Sequence, residues 1–196
     1  NSEKLNNIFF INTCAVTKEA ENQAKKKIRK IKRENPEAKI IVTGCSAQIN
    51  PTDYKKMNEV DLILGNEEKF KFKKYLNLLN NNSPEIVVND IMSVKETANH
   101  FIKGFDKKAR AFVQIQTGCD HRCTFCIIPF GRGNSRSVPI AKIYNQIKIL
   151  LKNGFKEIVL TGVDLTSYGN DLYGKPKLGK LIKEIFKKIK NLERLR

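Results

Sequence analysis

Arg110-Ala-Phe-Val-Gln-Ile-Gln-Thr-Gly-Cys-Asp-His-Arg-Cys-Thr-Phe-Cys126 is the stretch from which the organisation of this chain is read. Its first part, Ala111-Phe112-Val113-Gln114-Ile115, is rich in β-branched and aromatic residues and reads as a strand. The strand runs straight into Thr117-Gly118-Cys119, and Cys123 and Cys126 follow in the spacing C-x3-C-x2-C. A 4Fe-4S cube needs four ligands, so three thiolates within eight residues leave one iron open to a substrate or cofactor. Electron-transfer ferredoxins use tighter repeats with a fourth cysteine, and structural zinc sites close their coordination with four Cys or His ligands. His121 offers zinc a fourth ligand only from within a short, strained loop, which makes zinc the weaker reading.

Working outward toward the C-terminus, Pro139 opens a helix to about Asn153 and Gly154 ends it. Glu157-Ile158-Val159-Leu160 is a second strand, a loop runs from Thr161 to Gly169, and a helix spans about Leu178 to Lys190. These are two consecutive βα units, and the chain stops where a third strand is expected to begin. The order implies a parallel sheet.

Toward the N-terminus the same grammar recurs. Ile8-Phe9-Phe10-Ile11 reads as a strand that delivers Asn12-Thr13-Cys14 at its C-terminal end. Thr17 caps a helix from Lys18 to about Glu34, with Ala20, Ala24, Ile28 and Ile31 on one face and mostly lysine on the other. Pro36 disfavours helix at Asn35 and stops it. Ile40-Ile41-Val42 then leads into Thr43-Gly44-Cys45, so Cys14 and Cys45 both follow strand ends, where open α/β sheets bind their ligands. Pro51 opens a short helix, Asp61 to Leu64 forms a third strand, and Lys69 to Leu79 a further helix. Between Asn80 and about Lys108 only Ile86-Val87-Val88 looks like a strand, so the segment reads as a linker. The expected division is 1–80, a linker at 81–109, and 110–196.

Composition narrows the function. Five cysteines cannot all pair in one chain, and clustered thiols in a reducing compartment more often bind metal or do chemistry than cross-link. The net charge of +17 fits a polyanionic partner, yet 29 of the 37 basic residues are Lys, and the 20 Asn and 22 Ile match a bias of AT-rich codons. Charge alone therefore leaves RNA binding and a solvated lysine-rich surface equally open. No stretch approaches the roughly 20 apolar residues of a membrane span and no leader pattern is visible, so a cytoplasmic location without membrane contact is expected.

The cysteine spacing resembles that of radical S-adenosylmethionine enzymes, in which the open iron is chelated by the cofactor's amino and carboxylate groups. Cys126-Ile-Ile-Pro129, Gly131-Arg132-Gly133, Arg136-Ser137 and Pro139 extend the likeness to the methylthiotransferase family, as do Asn12-Thr13-Cys14, Gly44-Cys45 and Asp61-Leu-Ile-Leu-Gly-Asn-Glu-Glu-Lys69. The resemblance implies an N-terminal parallel α/β sandwich domain followed by the first two βα units of a partial TIM-type barrel. It implies two 4Fe-4S clusters, one on Cys119, Cys123 and Cys126 and one on Cys14 and Cys45, whose third ligand is expected upstream of residue 1. It also implies S-adenosylmethionine, cleaved reductively to activate an inert C–H bond. Phe125 matches a position bordering the cofactor's adenine, with core packing as the plain alternative. Gly162 and Val163 match the region near its methionine part. Arg132 and Arg136 are placed to grip a tRNA phosphate or a threonyl carboxylate, or are ordinary surface arginines.

Glu157-Ile-Val-Leu-Thr-Gly-Val-Asp-Leu-Thr-Ser-Tyr-Gly169 is most similar to the branch acting on N6-threonylcarbamoyladenosine next to the anticodon of tRNA. Rival branches modify isopentenyladenosine in tRNA or an aspartate of a ribosomal protein, and a rival class is a non-enzymatic iron-sulfur or zinc RNA-binding module. Expected partners are tRNA, an electron donor such as flavodoxin or ferredoxin, and a sulfur source. The likeness further implies a fragment, inactive by itself and poorly soluble through its exposed strand edge.

Overall fold

The structure, a computed structural model, describes residues 7–81, 83–95, 97 and 110–196. The chain divides into two compact units, Asn1–Val94 with His121–Gly133, and Lys95–Asp120 with Asn134–Arg196. The division thus falls at Lys95 and not at residue 110, where the second domain was expected to start, and His121–Gly133 sorts with the first unit. The end of the expected linker, 98–109, lies outside the described residues.

The first unit holds β1 (Ile8–Thr13), α1 (Lys18–Glu34), β2 (Lys39–Gly44), α2 (Cys45–Ile49), α3 (Pro51–Lys55), β3 (Leu62–Leu64), β4 (Glu85–Val87) and α4 (Ile128–Arg132). Its four strands are parallel in the order β1-β2-β3-β4. Both faces of the sheet are covered. Ile40, Val42 and Ile63 pack with Ile28 and Ile31 of α1 and with Tyr54 and Met57, while Ile41, Leu62 and Leu64 pack on Leu79, Phe72 and Tyr75. The unbroken apolar run Ile40-Ile41-Val42 within β2 is what burial on both faces requires. Thr17 caps α1 as expected, its hydroxyl accepting from the Ala20 N–H at 3.1 Å.

Two expectations change. The strand expected at 86–88 is present as Glu85–Val87, but it belongs to the first sheet as its fourth strand and not to a linker, with polar contacts just beyond it. Asn89 donates to Glu68 Oε1 at 2.7 Å, and its carbonyl accepts from Gln48 Nε2 at 2.9 Å. The helix expected over Lys69–Leu79 is 3₁₀ in geometry across Glu68–Asn80, with a break at Lys71 (φ −110°, ψ 20°). A 3₁₀ turn aligns residues i and i+3, which brings Phe72, Tyr75 and Leu78 onto the same apolar cluster.

The second unit holds β5 (Arg110–Gln114), β6 (Gln116–Thr117), β7 (Arg136–Ser137), α5 (Ile140–Lys152), β8 (Glu157–Thr161), α6 (Leu178–Lys188) and β9 (Arg194–Leu195). β5, β8 and β9 form a parallel sheet in that order, with Phe112 opposite Val159, and Arg194–Leu195 is the start of the third strand. Ala111, Val113, Ile158 and Leu160 share one core with Ile143, Ile147 and Leu150 of α5 and Leu181 and Ile185 of α6. The helices therefore cover one face, and Phe112 on the other is 37% exposed. β6 and β7 pair antiparallel, a feature not expected from sequence. Among the described residues, no helix is long and apolar enough to cross a membrane.

Candidate functional site

In the first unit, register brings Thr13 opposite Gly44, so Cys14 and Cys45 follow the ends of neighbouring parallel strands. Cys14 is exposed, and Cys45, half-buried, is the first residue of α2. Around the Cys45 sulfur the chain gathers donors. Arg132 Nε donates to Sγ at 3.0 Å, and Asn66 Nδ2 lies 3.8 Å from it while donating to the Gly131 carbonyl at 2.6 Å. Lys69 Nζ in turn donates to Asn66 Oδ1 at 2.7 Å. Burial, with the Arg132 charge nearby, pushes the Lys69 ammonium below the usual lysine range. α4 reaches Cys45 only because residue 131 is glycine: a Cβ there would sit 2.9 Å from Cys45 Cβ and 3.3 Å from Sγ.

Arg132, expected either to grip a substrate anion or to be an ordinary surface arginine, thus gives its Nε–H to a thiol. Cys123 is exposed and Cys126 half-buried, with the Cys126 N–H donating to the Cys123 carbonyl at 3.0 Å. Phe125 is 90% exposed among the described residues.

In the second unit, Cys119 is half-buried just after β6, and its Sγ lies within 4.8 Å of an Asp164 carboxylate oxygen. Gly162 and Val163 follow β8, beside Gln116. Arg136 is buried in β7, opposite Thr117, and so is not an ordinary surface arginine. All five cysteines are thiols, and the set at 119, 123 and 126 has the donor chemistry of a three-ligand iron-sulfur site.

Sequence reasoning missed Gln116, Asn66, Gln48 and Lys69 as parts of these surroundings. The signal for Gln116 was a break in alternation: Ala111, Val113 and Ile115 face inward, yet the next residue, which should face outward, is 0% exposed. For Asn66 no comparable signal exists, since its partners Cys45 and Gly131 lie far away in the chain.

Two family models match, uncharacterized protein family UPF0004 over residues 1–65 and the Radical SAM superfamily over residues 113–195. The chain is 56% identical over 192 residues to the threonylcarbamoyladenosine tRNA methylthiotransferase MtaB of Rickettsia prowazekii, covering 98% of this chain and 45% of that protein. It is 41% identical to the protein of the same name from Aquifex aeolicus, covering 86% of this chain and 42% of that one. It is also 34% identical to a tRNA-2-methylthio-N(6)-dimethylallyladenosine synthase of Clostridium tetani, covering 96% of this chain and 43% of that protein. The chain therefore spans less than half the length of these relatives.

Proposed function

This chain belongs to the radical S-adenosylmethionine methylthiotransferase family, and from that premise we propose that it serves in the methylthiolation of N6-threonylcarbamoyladenosine next to the anticodon of tRNA. The observation that carries the proposal is the C-x3-C-x2-C spacing of the three thiols Cys119, Cys123 and Cys126 directly after β6. Three thiolates suit a 4Fe-4S cube with an open iron and leave zinc one ligand short. The threonylcarbamoyl branch is preferred because relatives 56% and 41% identical to this chain carry that name.

In this proposal Cys119, Cys123 and Cys126 hold the cluster that binds S-adenosylmethionine, and Cys14 and Cys45 are ligands to a second one. When bound, cluster and S-adenosylmethionine supply the one-electron chemistry that activates an inert C–H bond. The protein's own share is positioning. Phe125 offers its exposed ring to the adenine, and Gly162 and Val163 border the methionine part. Arg132 holds the Cys45 sulfur in place with a charge-assisted hydrogen bond. The lysine-rich surface draws in tRNA by neutralising phosphates, and an electron donor of the flavodoxin or ferredoxin type and a sulfur source complete the reaction.

The test is anaerobic iron and sulfide quantification of the reconstituted protein, with electron paramagnetic resonance before and after S-adenosylmethionine is added. The expected result is about four irons that depend on Cys119, Cys123 and Cys126, with a signal that the cofactor perturbs. Zinc in place of iron, or a signal indifferent to the cofactor, overturns the proposal. Assays on tRNA bearing threonylcarbamoyladenosine and on tRNA bearing dimethylallyladenosine then decide the branch.

A further inference from the structure

Gln116 is wholly buried, and a buried primary amide is costly unless its donors and acceptor are satisfied. Here both ends are. Nε2 donates to the carbonyls of Gly118 at 2.8 Å and Thr117 at 3.1 Å, and lies 3.0 Å from Ser135 Oγ. Oε1 accepts from the backbone N–H of Val163 at 2.8 Å and of Asp164 at 2.9 Å. One side chain thus joins the base of the cysteine loop to the loop after β8. The β5·β8 ladder ends at Gln114 opposite Thr161, with one further bond from the Ile115 N–H to the Thr161 carbonyl at 2.8 Å. Beyond that point Gln116 continues the connection by side chain. Gly162 is what lets the second loop close down on it, because a Cβ there would lie 3.0 Å from Gln116 Oε1 and 2.7 Å from Leu165 Cδ2.

We infer that Gln116 is a positioning residue whose single amide sets the spacing between Gly118–Cys119 and Gly162–Asp164. The inference rests on the function proposed above, in which Cys119 ligates the iron and Gly162 and Val163 border the methionine part of S-adenosylmethionine. Gln116 acts through these two backbone segments, and its amide is fully used in holding them. The geometry is specific to glutamine. Glutamate would set an acceptor against the Gly118 and Thr117 carbonyls, and methionine keeps the length while losing every one of these hydrogen bonds.

The experiment compares Gln116→Glu and Gln116→Met with the unaltered chain by two measurements. The first is amide hydrogen exchange at Val163 and Asp164 without any cofactor, expected to quicken by about tenfold or more in both variants as the acceptor is lost or displaced. The second follows anaerobic cluster loading: iron content stays at the unaltered level in Gln116→Glu, whereas S-adenosylmethionine binds about tenfold more weakly. A residue that only supported the fold would lower the thermal midpoint and leave the affinity of the folded, loaded fraction unchanged. Exchange and affinity both unchanged in Gln116→Glu overturn the inference, and that variant decides the matter if Gln116→Met does not fold. If the unaltered chain loads iron but does not bind S-adenosylmethionine, the proposed function falls. Exchange at Val163 and Asp164 then still tells whether Gln116 fixes the loop.

Discussion

Cys45 is where a single residue shows most of what this fold does for chemistry. Its sulfur follows a strand end, opens a helix and receives a hydrogen bond from Arg132. Donors aimed at a ligating sulfur are among the factors that set an iron-sulfur potential. The close approach of α4 depends on Gly131, so Gly131→Ala is expected to cost about 1–3 kcal/mol by overpacking, read as a lower urea midpoint. An unchanged midpoint would show that α4 shifts at no cost. The two cysteine sets are expected to separate functionally. Cys123→Ala abolishes cleavage of S-adenosylmethionine, whereas Cys45→Ala spares cleavage and stops sulfur insertion. Quantifying 5'-deoxyadenosine and the methylthiolated nucleoside from each variant, made in the chain extended to the full length of its relatives, checks this, and a Cys123→Ala yield equal to that of the active unaltered protein would sink it.

Among the elements, α1 was the most legible, because its cap, apolar stripe and stop are all local. Thr17→Ala should lower stability by about 1 kcal/mol through loss of the cap to the Ala20 N–H, visible in the thermal midpoint. Ile28→Ala, at a fully buried position, should cost about 2–5 kcal/mol. The loop after β8 is held differently, by Tyr168, whose hydroxyl donates to the Val138 carbonyl at 2.9 Å. Burial first, and then the Asp171 carboxylate, hold the Tyr168 phenol well above the usual tyrosine range. A folded-state value raised above the unfolded one favours the neutral phenol. Its contribution is therefore complete below about pH 10 and lost as pH rises toward the folded-state value. Urea melts at about pH 8 and about pH 11 should show a smaller alkaline loss for Tyr168→Phe than for the unaltered chain. Equal losses would assign alkaline sensitivity to other groups.

For the whole molecule the open question from composition was whether a charge of +17 means RNA. If it does, raising salt from about 50 to about 200 mM should weaken tRNA binding by at least tenfold, measured by fluorescence anisotropy. Salt-independent binding would leave the lysines as a solvated surface. The sequence by itself determined the parallel βα order, the cap and span of α1, and the cysteine spacing, because each is written in contiguous residues whose periodicity or spacing has one physical reading. The tertiary structure alone decided that residues 85–87 complete the first sheet, that Arg136 is buried, that Arg132 serves Cys45, and that Gln116 ties two loops together. Those outcomes turn on partners dozens of residues apart, where the satisfaction of a buried polar group or the room left by a glycine decides the arrangement, and no local pattern records either.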